Sequence, residues 1–290
     1  EIAPQFGADP EQIVLSRNTT DGMCSIIGGL DLQQGDVILT THHEHVAALS
    51  PFSIVSERFG VTVDYLEIPV YTGGDDISED DFVKVFADAL EKYQSEGKSV
   101  RLIVFSHITY KTGTRLPAKL ICELAAENGI MTLIDGAHTI GMIDLDFHDI
   151  GCDFYAGSGH KWQCGPGATG ILYLKQGAET KVDGYWPINS SLNTAASFLS
   201  LQFQMQYIGN DNYPAKRALV DSCRMWDEIG RKRIEQYVLG LSSLCKRRLL
   251  QTFGEQGVLY SPDVPELSSG LTTFNPFVDQ TDEGQLTNFR

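Results

Sequence analysis

The chain has 290 residues, 42% of them hydrophobic, and a formal net charge of −16. A chain of this length can bury a sizeable core, as one large domain or as one domain and part of another. Its acidic balance argues against nucleic acid or an anionic membrane surface as a partner, and no apolar run approaches membrane-spanning length, so we expect a small-molecule partner.

The first predicted strand leads into a turn with the chemistry of an anion site. Gln12–Ser16 reads as a strand, the polar turn Asn18–Gly22 follows, and an apolar helix continues through Ile27. Free backbone N–H groups and the helix dipole at such an N-terminus favour a bound anion. A simple N-cap by Asn18 or Thr19 is a compatible interpretation.

A histidine-rich loop follows the second predicted strand. Gly35–Thr40 reads as a turn and strand, the loop carries His42–His45 (His-His-Glu-His), and Pro51-Phe52 begins or orients the next helix. This cluster lacks the i, i+4 spacing of a helical zinc motif. The six cysteines show no CxxC spacing. We therefore expect neither a metal site nor a disulfide framework.

The middle of the chain alternates strands and helices. The predicted strands cover Val61–Leu66 and Leu102–Phe105, and the predicted helices cover about 80–93 and 118–128. This alternation is typical of βαβ units in an α/β fold, which form a mostly parallel sheet with helices on both faces. Sites in such a sheet gather at the carboxyl ends of strands. Five candidate residues follow predicted strands, namely Thr20, His45, Tyr110, Asp135 and Lys161.

Two more apolar runs bracket the stretch that organises the chain. Met131–Ile134 and Gly170–Leu174 read as buried strands; Asp135 directly follows the first, and Lys161 lies in a glycine-rich turn before the second. A partly neutral lysine can bond an aldehyde, and a carboxylate beside a protonated pyridine nitrogen keeps that ring electron-poor. These are the two groups that pyridoxal 5'-phosphate (PLP) needs most. Taken alone, they are also explained by a helix cap and a solvated loop lysine.

Beyond Leu174 the pattern changes. We predict a loop over Lys181–Ser200, a long helix over about Ala215–Thr252 and a strand that begins within Ser268–Phe274. The basic group Arg231-Lys232-Arg233 is expected to form a solvated face of that helix. Because the chain opens and stops in mid-pattern, we expect sequence to be missing at both ends.

Two motifs carry a resemblance to a known family. Asp135-Gly136-Ala137-His138 and Ser158-Gly159-His160-Lys161-Trp162 resemble the signature of the class V aminotransferase family of PLP enzymes, and Gly165-Pro166-Gly167 is similar to its isopenicillin-N-epimerase-like branch. The resemblance implies the PLP-dependent transferase fold type I and a homodimer. It implies a PLP-binding large domain over 1–215, followed over 216–290 by a linking helix and the start of a small C-terminal α+β domain.

The resemblance also implies roles for individual residues. The implied catalytic residues are Lys161, which attaches PLP and moves a proton, Asp135, which pairs with the ring nitrogen, and His45, which stacks on the ring. The other implied cofactor contacts are those to the phosphate and the ring oxygen, from Thr19, Thr20, Ser158, His160 and His138.

Four further positions are possible site residues. Thr109 or Tyr110 is expected to face the substrate, although the family often has asparagine where this chain has Tyr110. Gly209 and Asn210 resemble the segment that reaches the partner's phosphate site in family dimers, with Asn210 replacing the usual threonine. The family's substrate-carboxylate arginine usually lies beyond this part of the sequence.

The resemblance implies an enzyme that acts at the amine-bearing carbon of an amino acid or an amino-acid-derived side chain. The string His160–Gly167 is similar to exported, periplasmic members of the branch, one of which modifies the glutamate side chain of the siderophore pyoverdine. A cytoplasmic location is the alternative. Transamination, epimerisation and C–S lyase or desulfurase chemistry stay open, with desulfuration lower because no cysteine follows Cys245. A non-catalytic PLP-binding module is the rival from another class.

Overall fold

A seven-stranded sheet forms the centre of the computed structural model, which describes residues 1–73, 77–178, 185–192 and 199–277. Its strands, in chain order, are β1 Ile13–Ser16, β2 Val37–Thr41, β3 Thr62–Leu66, β4 Val100–Ser106, β5 Met131–Gly136, β6 Phe154–Ser158 and β7 Gly170–Leu174. They lie in the order β1-β7-β6-β5-β4-β2-β3. Only β7 runs opposite to its neighbours, so the sheet is mostly parallel, as predicted.

Parallel pairing places the carboxyl ends of the central strands side by side. Ser106 at the end of β4 pairs with Asp135 of β5, and Gly136 pairs with Gly157 of β6. Because β7 is antiparallel, it begins at the same edge, where Gly170 pairs with Ser158. The turn between β6 and β7 therefore stays at this edge of the sheet, together with the loops that follow β4 and β5.

Helices cover both faces of the sheet. They are α1 Thr19–Gly29, α2 Val46–Phe59, α3 Glu79–Ser95, α4 Ala118–Glu127, α5 Phe147–Ile150, α6 Leu201–Gln206, α7 Tyr213–Ile229 and α8 Arg231–Phe253. Alternate residues of each strand face opposite sides. In β4, Ile103 and Phe105 join the core that contains α3 and α4, whereas Leu102 and Val104 join the core that contains α1 and α2. No helix in the described part of the chain is long and apolar enough to cross a membrane.

Two elements around the central sheet differ from the sequence prediction. The helix predicted to begin near Pro51 starts at Val46, because the His45 side chain caps its N-terminus, and Pro51 lies inside the helix. The sequence analysis does not predict β6, whose second half is small residues. That smallness is required by packing: a Cβ added at Gly157 would lie 2.3 Å from Cγ1 of Ile140.

The late helical region also differs from the prediction. The single helix predicted over 215–252 is two helices, α7 and α8, separated at Gly230, whose φ of 95° is a backbone conformation that favours glycine. The prediction of a solvated face at 231–233 is wrong for Arg231, which is buried. Its guanidinium donates to Asp227, 2.8 Å away, and lies 4.6 Å from the Phe6 ring centroid.

A second, two-stranded sheet follows α8. It pairs β8 Val258–Leu259 with β9 Phe274–Asn275, so the strand expected from Ser268 begins only at Phe274. The loop predicted over 181–200 lies partly outside the described residues, and its described parts, 185–192 and 199–200, contain neither helix nor strand. The domain boundary at 215 stays a prediction.

Candidate active site

Asp135 is a buried carboxylate at the carboxyl end of β5. Its side chain is only 4% exposed, and its Oδ1 accepts one hydrogen bond, 2.9 Å from the backbone N–H of Ala137. Burial raises the pKa of Asp135, whereas the Ala137 hydrogen bond and the nearby Lys161 and His45 side chains lower it. A buried carboxylate in this setting is stabilised by a cationic partner.

Lys161 lies in the tight turn between β6 and β7. Its backbone carbonyl accepts from the N–H of Cys164 at 3.1 Å, and the N–H of Gly165 donates to the carbonyl of Gly159 at 2.8 Å. Desolvation of the amine lowers the pKa of Lys161, and the charge of Asp135 opposes this shift. The turn thus presents a lysine beside the buried carboxylate, with a larger neutral fraction than an ordinary lysine has.

His45 reaches the same edge from the end of β2. Its Nδ1 accepts from the N–H of Ala47 at 3.2 Å, so the neutral ring carries its proton on Nε2. The side chain is exposed, and its ring contacts Tyr110 edge-on, with centroids 5.2 Å apart and an interplanar angle of 86°. In its protonated form, His45 lowers the pKa values of both Asp135 and His138.

His138 occupies the turn after β5. The indole N–H of Trp162 donates to its Nδ1 at 3.3 Å, which leaves the ring proton on Nε2. Burial, together with Lys161 and His45, lowers the pKa of His138 to about 4, so the ring is neutral near pH 7. Trp162 belongs to the motif 158–162, and its contact with His138 is not apparent from the sequence.

The N-terminus of α1 adjoins this group. The hydroxyls of Thr19 and Ser158 are 2.7 Å apart, and Asn18 caps the helix by accepting from the N–H of Asp21 at 2.8 Å. Thr20 is exposed. His160 is also exposed, and its Nδ1 lies 3.4 Å from the carbonyl oxygen of Thr169. Hydroxyls at a helix N-terminus make a cradle suited to a phosphate.

Glu44 is a site neighbour that the sequence analysis missed. It is 2% exposed and accepts hydrogen bonds from the hydroxyls of Thr41 at 2.7 Å and Ser106 at 2.6 Å. Burial raises the pKa of Glu44 to about 7, with a smaller contribution from Asp135. No local signal could have found it, because its burial depends on the ends of β2 and β4 lying side by side.

The four possible site residues lie in two places. Thr109 is fully buried and its hydroxyl contacts that of Thr112, whereas Tyr110 is 43% exposed next to His45. Gly209 and Asn210 are exposed, and Asn210 lines a cavity of about 460 Å³ that also includes Arg17. Arg17 lies just before α1.

Metal ligands are not grouped at this edge. Within the described ranges, no group of three or more His, Cys, Asp or Glu side chains is arranged to hold a metal ion. The histidine-rich loop disperses its side chains: Nε2 of His42 lies 3.5 Å from Glu67, and Glu44 points into the protein between two hydroxyls.

A mostly parallel sheet with a lysine and a buried aspartate at one edge defines an α/β enzyme of the PLP-dependent fold type I. The chain belongs to the aminotransferase class-V family, whose sequence model matches residues 1–286. This confirms the predicted family and fold class, the prediction of a PLP-dependent enzyme, and PLP as its cofactor at the level of the family.

Two sequence relatives show the breadth of the family. The chain is 30% identical over 284 residues to isopenicillin N epimerase of Streptomyces clavuligerus. That alignment covers 94% of this chain and 68% of the epimerase. It is 27% identical over 271 residues to a probable cysteine desulfurase of Halalkalibacterium halodurans, covering 91% of this chain and 62% of that protein.

Solved structures agree with the fold. The complex of the cystine C–S lyase C-DES with its product cysteine persulfide shares 25% identity and a TM-score of 0.77, over 94% of this chain and 70% of that one. A lysine-to-alanine variant of C-DES, with glycine covalently linked to its PLP cofactor, gives a TM-score of 0.79 at 25% identity, over 98% of this chain and 71% of that one.

Proposed function

We propose that this protein is an enzyme that uses PLP to act at the amine-bearing carbon of an amino acid or an amino-acid-derived side chain. The observation that carries the proposal is the convergence of Asp135, Lys161, His45 and His138 at a single sheet edge, where Lys161 and His45 both influence the pKa values of Asp135 and His138. The α1 N-terminus stands beside them. If Asp135 were only a helix cap and Lys161 only a solvated loop lysine, nothing would require the two side chains to lie close together.

The residues fit the chemical parts of PLP. Asp135 offers a buried carboxylate to a protonated ring nitrogen, His45 offers the face of its imidazole to the ring, and His138 offers a neutral imidazole to the ring oxygen. Thr19, Thr20, Ser158 and His160, with the α1 dipole, suit the phosphate. When bound, PLP supplies an electron sink for negative charge at the substrate carbon.

Lys161 is the group that moves the proton. Desolvation lowers the pKa of Lys161, so its amine can accept a proton from the substrate carbon on the face that it occupies. Asp135 meanwhile holds the ring-nitrogen proton in place. His138 has its Nε2 proton free to donate, because Trp162 occupies Nδ1. Removal of the proton from the substrate carbon is the common first step of epimerisation, transamination and elimination, and it leaves the outcome open.

Epimerisation is one candidate outcome, supported by the 30% identity to an epimerase over 94% of this chain. Desulfuration is the second candidate, supported by the likeness to a probable cysteine desulfurase. That reaction needs an accessible thiol to take the sulfur. The exposed cysteines are Cys164, whose thiol faces the carbonyl of Trp162, and Cys245 on α8.

Substrate, compartment and assembly are proposed on the family resemblance. The string 160–167 supports a periplasmic enzyme that acts on the glutamate side chain of pyoverdine, which makes the siderophore's precursors one arm of a substrate panel. The exposed segment at Gly209 and Asn210 supports a homodimer. Sedimentation of the PLP-bound protein at micromolar concentration should give a dimer, and a fully active monomer would contradict it.

The test of the proposed function is exchange of the substrate Cα proton in D2O. Glutamate, cysteine, simple amino acids and pyoverdine precursors are incubated with the PLP-loaded protein, and deuterium incorporation is followed by NMR. At least one compound should exchange with the wild type and with Lys84→Ala, which removes an exposed lysine of α3 that pairs with Asp88 at 2.7 Å. Lys161→Ala should lose the exchange. Equal exchange by Lys161→Ala would show that another base moves the proton.

A further inference from the structure

Tyr110 and His45 bring the loops after β4 and β2 into contact. Their rings meet nearly at right angles, with centroids 5.2 Å apart. Edge-to-face contacts between aromatic rings at this separation are attractive. Tyr110 is 43% exposed, so it contacts His45 from the surface of the protein and not from the core.

His45 is held from its backbone side as well. The N–H of Ala47 donates to its Nδ1 at 3.2 Å, which sets the tautomer but leaves the ring free to tilt about that bond. The Tyr110 ring supplies a second contact on the imidazole. Two contacts in different directions define the orientation of a ring better than one does.

The loop that carries Tyr110 is internally ordered. The hydroxyls of Thr109, Thr112 and Thr114 form a buried chain, with oxygens 2.7 and 2.8 Å apart. The N–H of Thr109 donates to the carbonyl of Thr114 at 2.9 Å, and the N–H of Thr114 donates back to the Thr109 hydroxyl at 3.1 Å. An exposed side chain on this loop therefore starts from a fixed backbone.

The same loop is tied to its surroundings on two sides. The Lys111 amine donates to the carbonyl of His42 at 2.8 Å, which joins it to the His45 loop. From the segment before β9, the hydroxyls of Thr273 and Ser269 donate to the carbonyls of Lys111 and Gly113, each at 2.6 Å. Tyr110 is thus placed by a backbone that is anchored on both sides.

We propose that Tyr110 is a positioning residue of the cofactor site, whose ring holds the imidazole of His45 in the orientation that contacts PLP. This inference rests on the proposed function, because it assigns His45 to the cofactor ring. Tyr110 acts through His45, so its aromatic ring is the required feature and its hydroxyl is dispensable.

The test is the affinity of the apo protein for PLP, measured by equilibrium dialysis. Losing one aromatic contact should raise the dissociation constant roughly two- to tenfold in Tyr110→Leu, which keeps bulk without a ring, and in Tyr110→Ala. Tyr110→Phe keeps the ring and should bind PLP as the wild type does. Tyr237→Ala, which removes a 68% exposed tyrosine of α8, is the matched control and should bind normally.

The outcomes separate this inference from the proposed function. A wild type that binds no PLP removes the proposed function itself. Wild-type affinity in Tyr110→Leu and Tyr110→Ala overturns the positioning role alone, and so does weak binding by Tyr110→Phe, because the hydroxyl would then be what matters. Thermal unfolding of each apo variant shows whether a variant that binds PLP weakly is folded. If Tyr110→Ala is unfolded, Tyr110→Leu alone provides the test.

Discussion

At the scale of single residues, the site places two buried carboxylates in different settings. Burial raises the pKa of Asp135, but the hydrogen bond from the N–H of Ala137 and the nearby Lys161 and His45 side chains oppose that rise. Glu44 accepts two neutral hydroxyls, and the nearby charge of Asp135 opposes its ionisation. Asp135 is therefore the carboxylate suited to pair with a cation, and Glu44 the one suited to stay protonated.

Asp135→Asn tests the role of that charge. Asparagine can still accept from the N–H of Ala137, so the free energy of unfolding should change little. It cannot hold a proton on a ring nitrogen, and losing one such electrostatic partner costs ~3 kcal/mol in the transition state, or roughly 100-fold in rate. Single-turnover kinetics with an exchanging amino acid, alongside thermal unfolding, measure both effects. A variant that unfolds early yet keeps its rate per folded molecule would refute the assignment.

Glu44→Gln tests the buried acid through pH. Burial raises the pKa of Glu44 from 4.5 to about 7, so the folded protein retains a proton that the unfolded chain has lost. The resulting stabilisation is fully present below pH 4.5 and is lost as pH rises through 7. Raising the pH from 5.5 to 8 therefore lowers the free energy of unfolding of the wild type by about 2 kcal/mol through this group. Glu44→Gln has no ionisable group at this position and lacks that contribution.

The measurement is urea unfolding of both apo proteins at those two pH values. The free energy of unfolding of Glu44→Gln minus that of the wild type should rise by about 2 kcal/mol when the pH is raised from 5.5 to 8. The lost hydrogen bond to Thr41 or Ser106 shifts both values equally, so only the difference between them is used. A difference independent of pH would mean that Glu44 is ionised throughout.

At the scale of elements, the junction between α7 and α8 shows how a basic residue becomes part of the core. Gly230 ends one helix, and Arg231 then donates to Asp227, Gln5 and Gln163 while its guanidinium lies over Phe6. Lys232 is exposed. The junction therefore ties the first residues of the chain to the late helices.

Arg231→Ala should lower the free energy of unfolding by about 3 kcal/mol, because it leaves buried acceptors without a donor. Lys232→Ala is the matched control on the next residue, and should stay within about 0.5 kcal/mol of the wild type. Chemical denaturation of the three proteins at one pH measures this. Equal stabilities for both variants would show that Arg231 is solvated, as its sequence context suggests.

The turn that holds Lys161 was only partly predictable. Met131–Ile134 and Gly170–Leu174 are apolar runs with turn signals, so both strands are correctly predicted and the turn with Lys161 is set between them. The strand β6 lacks such a signal, because the close approach of Ile140 demands glycine at 157. Local propensity therefore argued against a strand that the sheet requires.

At the scale of the whole molecule, topology explains why residues far apart in sequence form one site. Crossover connections bring the ends of β1, β2, β4, β5 and β6 to one edge, and the reversed β7 keeps the Lys161 turn there. Alternation of strands and helices was sufficient to predict this convergence. Inward-facing Glu44 and the contact of Trp162 with His138 depend on side-chain packing across elements, which no local pattern reports.

The central claim is that Lys161 and the groups around it hold PLP. The most direct measurement is borohydride reduction of the PLP-loaded protein, followed by peptide mapping with mass spectrometry. We predict a phosphopyridoxyl group on the peptide that contains Lys161, and no label on any lysine of Lys161→Ala. A protein that takes up PLP and carries the label on another lysine, or that is not labelled at all, would contradict the assignment of this edge as the active site.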